Sequence, residues 1–436
     1  MNRLDFKIDF PSIIKMSDSV FIPKMYKVRQ NFDTLKLSNF IEKLKGELTN
    51  KKDIMESLNG KKVCIALGSR GINNISSIAT QIVKEVKQYG GEPFIIPAMG
   101  SHGGATPEGQ KELLEGYGIT EDKVGAPIIS NLDVEFLGKT DEDIPVFTSK
   151  DALNADGVIL VNRVKPHTAF HGDIESGLIK MSVIGMGKQK GAELCHKMGF
   201  NNFSEKLKNM SRIVFSHVPV VLGVAILENA YDETADIRAL APSEFFTEEP
   251  KLLKTAKSLM PQILLNNPDI LIVDELGKDI SGDGMDPNIT GRFASDYVKS
   301  DFKVNRIVVL GLTKATDGNA NGIGVADITT SRVLKDTDFT KGYINSITAA
   351  IPSTVRLPMV MPNDYEAIKT AIKTANNLDY DGRKSRIVRI KNTLSLKNIY
   401  VSESLIEDVK KNSKLEIISG PFDFEFDKEN NLITGW

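Results

Sequence analysis

The feature that most constrains the fold is a regular alternation of short apolar segments with amphipathic segments. Residues 61–67 (KKVCIAL) and 92–99 (EPFIIPAM) have the composition of strands, and residues 75–90 between them have the apolar spacing of a helix. The segment 156–164 (DGVILVNRV) is apolar enough to be a strand that is buried on both faces. Strands that alternate with helices indicate an α/β fold with a parallel sheet.

The chain is long enough for two domains. Its 436 residues exceed what one ordinary hydrophobic core organises. The strand pattern resumes at 269–276 and 302–313, after a helical segment at 251–266. We therefore expect domains at residues 1–262 and 263–436, each with a mostly parallel sheet flanked by helices, and an active site in the cleft between them.

Composition and charge exclude several classes of protein. Hydrophobic residues make up 41% and charged residues 26%, which is typical of a soluble globular protein. A net charge of −2 provides no field that would favour nucleic acid or an anionic membrane, and no apolar run approaches the roughly 20 residues of a spanning helix. Two cysteines, Cys64 and Cys195, cannot form a disulfide framework, and the charged N-terminus does not resemble a signal peptide. We expect a cytoplasmic protein.

Polar residues follow each of the first three predicted strands. The first is followed by GSRG, which contains Arg70, the second by GSHGG, which contains His102, and the third by KPHTAFHGD, which contains His167 and His171. In an open α/β sheet, ligands bind beyond the carboxyl ends of the strands. These side chains are therefore expected to meet at one edge of one sheet.

The histidines at this edge have a functional and a structural interpretation. An imidazole titrates near pH 6.5, so His102 and His167 are candidate acid/base residues. Alternatively, His102 caps the next helix and His167 bonds a loop carbonyl. For His171 and His217 the structural interpretation is preferred.

Lys180 lies in the apolar run GLIKMSVIG, and His196 ends a short helix that is expected after Gly187. The lysine must extend to solvent, pair with an acid such as Glu175, or serve as a covalent attachment point. His196 is either a packed helical histidine or a metal ligand.

The order and spacing of these motifs resemble the nickel-pincer lactate racemase family. The resemblance rests on GSHGGATPEG, on VKPHTAF followed by SGLIKM, and on a histidine sixteen residues after the lysine, and it is good over roughly residues 60–200. It implies that Lys180 carries the nickel-pincer nucleotide, a pyridinium-3-thioamide-5-thiocarboxylic acid mononucleotide, through a thioamide link. It further implies that His196 is the protein ligand of the nickel, while two sulfurs and a carbon of the cofactor complete its coordination.

The same resemblance implies roles for the residues at the strand ends. His102 and His167 would be the paired acid/base residues, and Arg70 would contact the substrate and the cofactor. The sequence departs from the family at Leu67, where the family has an aspartate, and in a longer loop before Lys180 that contains HGDIE. Because both changes are expected at the pocket, lactate itself is not implied as the substrate, and His171, Asp173 and Glu175 become candidates for recognising a different one.

The implied function is racemisation or epimerisation of a 2-hydroxy acid by reversible hydride transfer. Cofactor-biosynthesis proteins would be partners of such an enzyme. In the second domain, Lys278 is a candidate for binding the substrate carboxylate, and a solvated loop is its alternative. Two other functions remain open: a zinc-dependent hydrolase with the histidines as ligands, and a non-catalytic anion-binding protein.

Overall fold

A computed structural model of the protein describes residues 8–68, 71–375, 381–433 and 435–436. The chain forms two compact units. One is Asp33–Met260, and the other combines the segment up to Phe32 with Pro261–Trp436. The first 32 residues were expected in the N-terminal domain, residues 1–262. They belong to the other unit because their strand, Met25–Gln30, pairs with two strands near the C-terminus.

The strands, in chain order, are β1 (Met25–Gln30), β2 (Lys62–Leu67), β3 (Glu92–Pro97), β4 (Val134–Lys139), β5 (Pro145–Ser149), β6 (Gly157–Arg163), β7 (Val220–Glu228), β8 (Thr234–Leu240), β9 (Ile270–Leu276), β10 (Arg306–Leu312), β11 (Ile328–Thr330), β12 (Met359–Met361), β13 (Ile387–Ile390), β14 (Asn398–Ser402) and β15 (Leu415–Phe422).

The α-helices are α1 (Phe10–Ile14), α2 (Phe40–Thr49), α3 (Lys52–Glu56), α4 (Ile75–Gln88), α5 (Pro107–Gly116), α6 (Glu121–Val124), α7 (Lys150–Leu153), α8 (Leu178–Lys180), α9 (Lys188–Lys197), α10 (Phe203–His217), α11 (Phe245–Leu259), α12 (Pro287–Thr290), α13 (Ser331–Asp336), α14 (Phe339–Ala349), α15 (Asp364–Thr374) and α16 (Ile406–Lys411). A π-helical turn, Met181–Gly185, follows α8 directly.

The unit Asp33–Met260 is built on a five-stranded sheet in the order β3-β2-β6-β7-β8. The first four strands are parallel, and β8 is antiparallel to β7. Alternate residues of β2, namely Val63, Ile65 and Leu67, are fully buried and belong to the core cluster that also contains the apolar face of α4. Leu67 was expected at the substrate pocket. In the structure its side chain instead packs in this core.

The other unit has an eight-stranded sheet in the order β12-β11-β10-β9-β13-β14-β1-β15. Its first five strands are parallel, and the last three join it by antiparallel pairing. The predicted α/β class, with mostly parallel sheets flanked by helices, is confirmed for both units.

The strands that were predicted for the parallel parts of the sheets lie within a few residues of the observed strands. Two other features differ from the prediction. The helix expected at 251–266 is α11, which ends at Leu259 because Pro261 forces Met260 out of the helical region, to ψ 146°. The antiparallel strands were not predicted. No helix in the described parts of the chain has the length and apolar character needed to cross a bilayer.

The C-terminus of the chain is held by a buried ion pair. Arg389 donates to both carboxylate oxygens of Asp274, at 2.9 and 2.7 Å, and the indole Nε1 of Trp436 donates to the same carboxylate at 2.7 Å. The guanidinium of Arg389 also lies 5.1 Å from the centre of the Trp436 ring. Arg389 is only 2% exposed and Asp274 7% exposed, so water cannot replace either partner.

Arg389→Ala is expected to lower the free energy of unfolding of this unit by about 3–5 kcal/mol, because it leaves the Asp274 carboxylate buried without a counter-charge. Arg29→Ala is the matched control: its ion pair with Glu416 is exposed on both sides, so its loss should cost about 0–1 kcal/mol. Urea unfolding followed by the fluorescence of Trp436, the only tryptophan, measures both. Equal losses in the two variants would contradict a dominant role for the buried pair.

Candidate active site

The strand order places the two histidine loops on either side of one strand end. In the sheet, β2 lies between β3 and β6, and its last residue, Leu67, is paired with Pro97 of β3 and Val161 of β6. The loop that contains His102 follows β3, and the loop that contains His167 follows β6. With neighbouring strands about 4.8 Å apart, the two loops begin roughly 10 Å from each other. Arg70, which follows β2, lies outside the described residues.

The His102 loop is shaped by glycines and held by a buried glutamine. Gly103 has φ 66°, and a Cβ there would lie 2.6 Å from the backbone carbon of Gly109, so this close approach requires glycine. The side-chain Nε2 of Gln110, which is fully buried, donates to the carbonyls of Gly100 at 2.9 Å and His102 at 3.2 Å. These contacts fix the backbone from which the half-buried His102 side chain extends.

The capping interpretation of His102 does not hold. Thr106 is the N-cap of α5, and its Oγ1 accepts the backbone N–H of Gly109 at 3.0 Å. His102 precedes the 3-10 turn Gly103–Ala105, but its side chain makes no capping hydrogen bond to that turn.

The His167 loop is organised by the buried carboxylate of Glu175. Its Oε2 accepts the backbone N–H of His167 at 2.7 Å, and its Oε1 accepts that of Gly172 at 3.2 Å. The same Oε1 forms an ion pair with Lys257 Nζ at 2.6 Å. Glu175, which the sequence suggested as a partner for Lys180, thus pairs with a lysine of α11 and holds the base of this loop.

The ring of His167 is also oriented. Its centroid lies 4.4 Å from that of Phe170, and its Nδ1 accepts the backbone N–H of Ala169 at 3.0 Å. A neutral imidazole that accepts at Nδ1 carries its proton on Nε2, so the ring in this arrangement is a hydrogen-bond donor at Nε2. Taking up a second proton requires the bond to Ala169 to break.

The other polar residues of this loop have different surroundings. His171 is exposed. Asp173 accepts from Ser204 Oγ at 2.8 Å and pairs with Lys208 at 2.5 Å, so it ties the loop to α10.

Lys180 is the last residue of α8, and its side chain is half-buried. The next residue begins the π-helical turn Met181–Gly185, a rare geometry that often occurs at functional sites. Gly185 allows this turn to pack on the end of β3, since a Cβ there would lie 2.6 Å from the carbonyl oxygen of Ala98.

Lys180 and His196 are close enough to interact electrostatically. The positive charge of Lys180 acts on both Cys195 and His196, which are consecutive residues of α9. Burial, followed by the charge of Lys180, lowers the pKa of His196, because both disfavour the imidazolium. Burial raises the pKa of the Cys195 thiol to about 12 although Lys180 opposes it, so this thiol stays protonated.

The imidazole of His196 has an unsatisfied nitrogen. Its Nδ1 is buried and has no hydrogen-bond partner among the described residues, whereas buried polar atoms are nearly always bonded. The ring of Phe200 packs edge-on at 6.2 Å. A neutral, half-buried imidazole whose buried Nδ1 is used by no described protein group has the form of a metal ligand.

A second lysine of this region, Lys188, was not recognised from the sequence. It is fully buried, its Nζ donates to the carbonyl of Pro97 at 2.6 Å, and it links α9 to the end of β3. Burial lowers its pKa to about 8, against the opposing charges of Asp151 and Cys64. In GMGKQKG nothing distinguishes it from the exposed Lys190, so only the packing reveals it.

Lys278 lies in the other unit, in the loop after β9. Its backbone N–H donates to Thr316 Oγ1 at 3.0 Å, and its Nζ donates to the carbonyl of Gly282 at 2.5 Å. Its proposed contact with a substrate carboxylate stays a prediction.

The described residues do not form a conventional metal site. Within them, no three His, Cys, Asp or Glu side chains are grouped closely enough to hold a metal ion. A catalytic zinc needs three protein ligands, so this part of the chain does not support the zinc hydrolase alternative. A metal ion that a cofactor already coordinates through most of its ligands needs only one ligand from the protein.

The protein is similar in fold to a solved structure and in sequence to a family model. A solved structure, the lactate racemase apoprotein from Thermoanaerobacterium thermosaccharolyticum, matches this fold with a TM-score of 0.50 and 13% sequence identity, over 85% of this chain and 99% of that one. Residues 22–206 match the family model of the lactate racemase N-terminal domain. The predicted resemblance is confirmed for this segment, which contains both histidine loops, Lys180 and His196. No curated protein matches the sequence.

The proximity of Lys180 and His196 predicts a measurable coupling in protein produced without cofactor. Lys180→Met is expected to raise the pKa of His196, because the variant removes a positive charge that disfavours protonation of the ring. The pKa should stay below the usual value of about 6.5, because the ring remains buried.

Titration of the His196 ring by NMR measures this pKa. The control is Lys197→Met, which removes the same charge from the exposed residue next to His196 and should leave the pKa unchanged. An unchanged pKa in Lys180→Met would show that the two side chains are not neighbours.

Proposed function

We propose that the protein is a racemase or epimerase of a 2-hydroxy acid that depends on the nickel-pincer nucleotide. The observation that carries this proposal is the pairing of Lys180 with a histidine whose buried Nδ1 has no partner among the described protein groups. The lactate racemase N-terminal domain match over the same segment supports an isomerase of this family.

The residues fit the cofactor at two points. Lys180 would hold it through the thioamide link, and His196 would supply the single nickel ligand that the protein contributes. The lowered pKa of His196 keeps the imidazole neutral at pH 7, as a metal ligand must be. When bound, the cofactor would supply a planar acceptor for the C2 hydride of the substrate.

The protein's own contribution to the chemistry is proton transfer at the substrate hydroxyl. The two enantiomers present this hydroxyl in different places, so one base cannot serve both equally well. The order β3-β2-β6 supports an opposed pair, because His102 and His167 follow the strands on either side of β2. A gap of roughly 10 Å between their loops suits a small hydroxy acid.

Each histidine has a fixed backbone, and His167 also has an oriented ring. Because its Nδ1 accepts the N–H of Ala169, neutral His167 presents an Nε2–H donor to a substrate oxygen. When Nδ1 takes up a proton and releases Ala169, the imidazolium can transfer its Nε2 proton to that oxygen, and the ring then has a free Nε2 lone pair that can accept the proton back. Arg70, at the end of β2, would bind an anionic group of the substrate or the cofactor through its planar guanidinium.

The alternative function, a non-catalytic anion-binding protein, is less well supported by the position of Lys180 beside His196. An anion-binding protein would use Arg70 and the glycine loops but does not need a lysine beside a neutral, half-buried histidine. The proposal includes a cytoplasmic location, which the two free, buried cysteines support, and it includes the cofactor-biosynthesis proteins as partners. The substrate is proposed as a 2-hydroxy acid without specifying lactate.

Lys180→Ala is expected to abolish both the covalent mass adduct and racemisation, because the variant removes the amine that would form the thioamide link. The measurement is intact mass and racemase activity of protein produced together with the cofactor-biosynthesis proteins. Lys190→Ala, which removes an exposed lysine of the same segment, is the control and should retain the adduct. An adduct that persists in Lys180→Ala would disprove the attachment site.

His102→Ala and His167→Ala are each expected to slow racemisation by about 10²–10⁴-fold, the usual contribution of a positioned acid or base. Single-turnover absorbance of the loaded enzyme with each pure enantiomer would show whether one enantiomer still reacts in each variant. His217→Ala, an exposed histidine at the end of α10, is the control. Normal reaction of both variants with both enantiomers would make the two histidines structural.

A further inference from the structure

A buried carboxylate in α11 contacts the backbone that leads into Lys180. Glu249 is 1% exposed, and its Oε2 accepts the backbone N–H groups of Leu178 at 2.8 Å and Ile179 at 3.1 Å. Its Oε1 is buried and has no hydrogen-bond partner among the described residues. A carboxylate placed in this way stabilises a backbone conformation at a considerable desolvation cost.

The contact depends on glycine at position 177. A Cβ on Gly177 would lie 2.3 Å from Glu249 Oε1, so any other residue there would displace the carboxyl group. The two bonded N–H groups belong to the first two residues of α8, and Lys180 is the third and last. The carboxylate therefore fixes the turn from which the Lys180 side chain extends.

No cation among the described residues pairs with the Glu249 carboxylate. Burial raises its pKa to about 7, while the two backbone N–H groups oppose this rise, and no other charged group contributes. The elements packed against α11 include β7, α8 and the turn Pro242–Glu244, and the rings of Phe215 and Phe245 join it to α10. The titratable or charged groups of those elements and of α11 are Glu228, Lys180, Glu244, Glu205, Lys206, Lys208, Arg212, His217, Glu248, Lys251, Lys254 and Lys257.

Three of these groups pair with residues other than Glu249. Glu228 pairs with Arg163, Glu244 with Lys51, and Lys257 with Glu175. Glu249 thus bonds the backbone of α8 rather than taking part in an ion-pair network, which indicates that its role is local to α8.

We propose that Glu249 is a positioning residue that holds the turn bearing Lys180 in the conformation needed for cofactor attachment. The inference rests on the proposed role of Lys180. Glu249 acts through the backbone of residues 178–179 and does not itself touch substrate or cofactor.

The test compares the full-length wild type with Glu249→Ala, Glu249→Gln and the control Glu248→Gln. Glu248 is the neighbouring residue of α11, is partly exposed and pairs with Lys251. The first readout is amide hydrogen exchange of the peptide containing residues 177–180 in protein produced without cofactor. The second is the rate at which the covalent adduct forms when the same protein is mixed with the purified nickel-pincer nucleotide in its free thiocarboxylic acid form. In this step the Lys180 amine condenses with the thiocarboxylic acid, so that the thioamide C–N bond forms and water leaves.

In Glu249→Ala, we expect exchange at residues 178–179 to be faster by roughly tenfold or more, because two charge-assisted hydrogen bonds are lost. Adduct formation should slow by a similar factor. Glu249→Gln retains an oxygen that accepts both N–H groups and should restore attachment, and Glu248→Gln should match the wild type. Wild-type protection at 178–179, or wild-type attachment, in folded Glu249→Ala overturns the inference.

The pH profile decides the question if Glu249→Ala does not fold. A carboxylate accepts hydrogen bonds more strongly than a neutral carboxyl, so wild-type protection at 178–179 should increase from pH 6 to 8, relative to the exchange of an unstructured peptide. In Glu249→Gln this increase should be absent, and an increase equal to that of the wild type overturns the inference. If wild-type protein forms no adduct at all, the proposed function fails, while the exchange measurements still decide whether Glu249 holds this turn.

Discussion

The parallel pairing of β2 with β3 on one side and β6 on the other is the constraint on which the candidate site depends. Backbone hydrogen bonds align Leu67 with Pro97 and Val161, so the three strands end at the same edge. The loops that carry the catalytic candidates must therefore begin side by side, whatever their own sequences. The glycine-rich turn after β3 and the longer loop after β6 then determine how far each histidine extends from this edge.

Buried polar side chains provide the next level of positioning. Gln110 bonds two carbonyls of the His102 loop, Glu175 bonds two N–H groups of the His167 loop, Lys188 bonds the carbonyl at the end of β3, and Glu249 bonds the turn before Lys180. Each of these side chains is buried, and each bonds the main chain. A site assembled from loops gains rigidity in this way, because a buried polar group that loses its partner is costly.

Some of these features could be predicted from the sequence and others could not. The strands of the parallel sheet are continuous apolar runs, so their positions and the residues that follow them were recognisable. The strand β1 was not, because its partners β14 and β15 lie more than 350 residues further along the chain. Glu175 was considered for Lys180, five residues away, but it pairs with Lys257 of α11, since separation along the chain does not determine distance in the fold.

The sequence by itself determined the α/β class, the identity of the loops at the sheet edge, and the lysine and histidine whose spacing resembles the lactate racemase family. These depend on local patterns of apolar residues, glycines and short motifs, which are visible without a structure. The tertiary structure alone decided that His196 is a half-buried, neutral imidazole whose buried Nδ1 has no partner among the described residues, and that Glu249 and Lys188 are tied to the backbone of the site. Every residue except proline has the same backbone N–H and carbonyl groups. The identity of a residue therefore does not reveal that a distant side chain bonds its backbone.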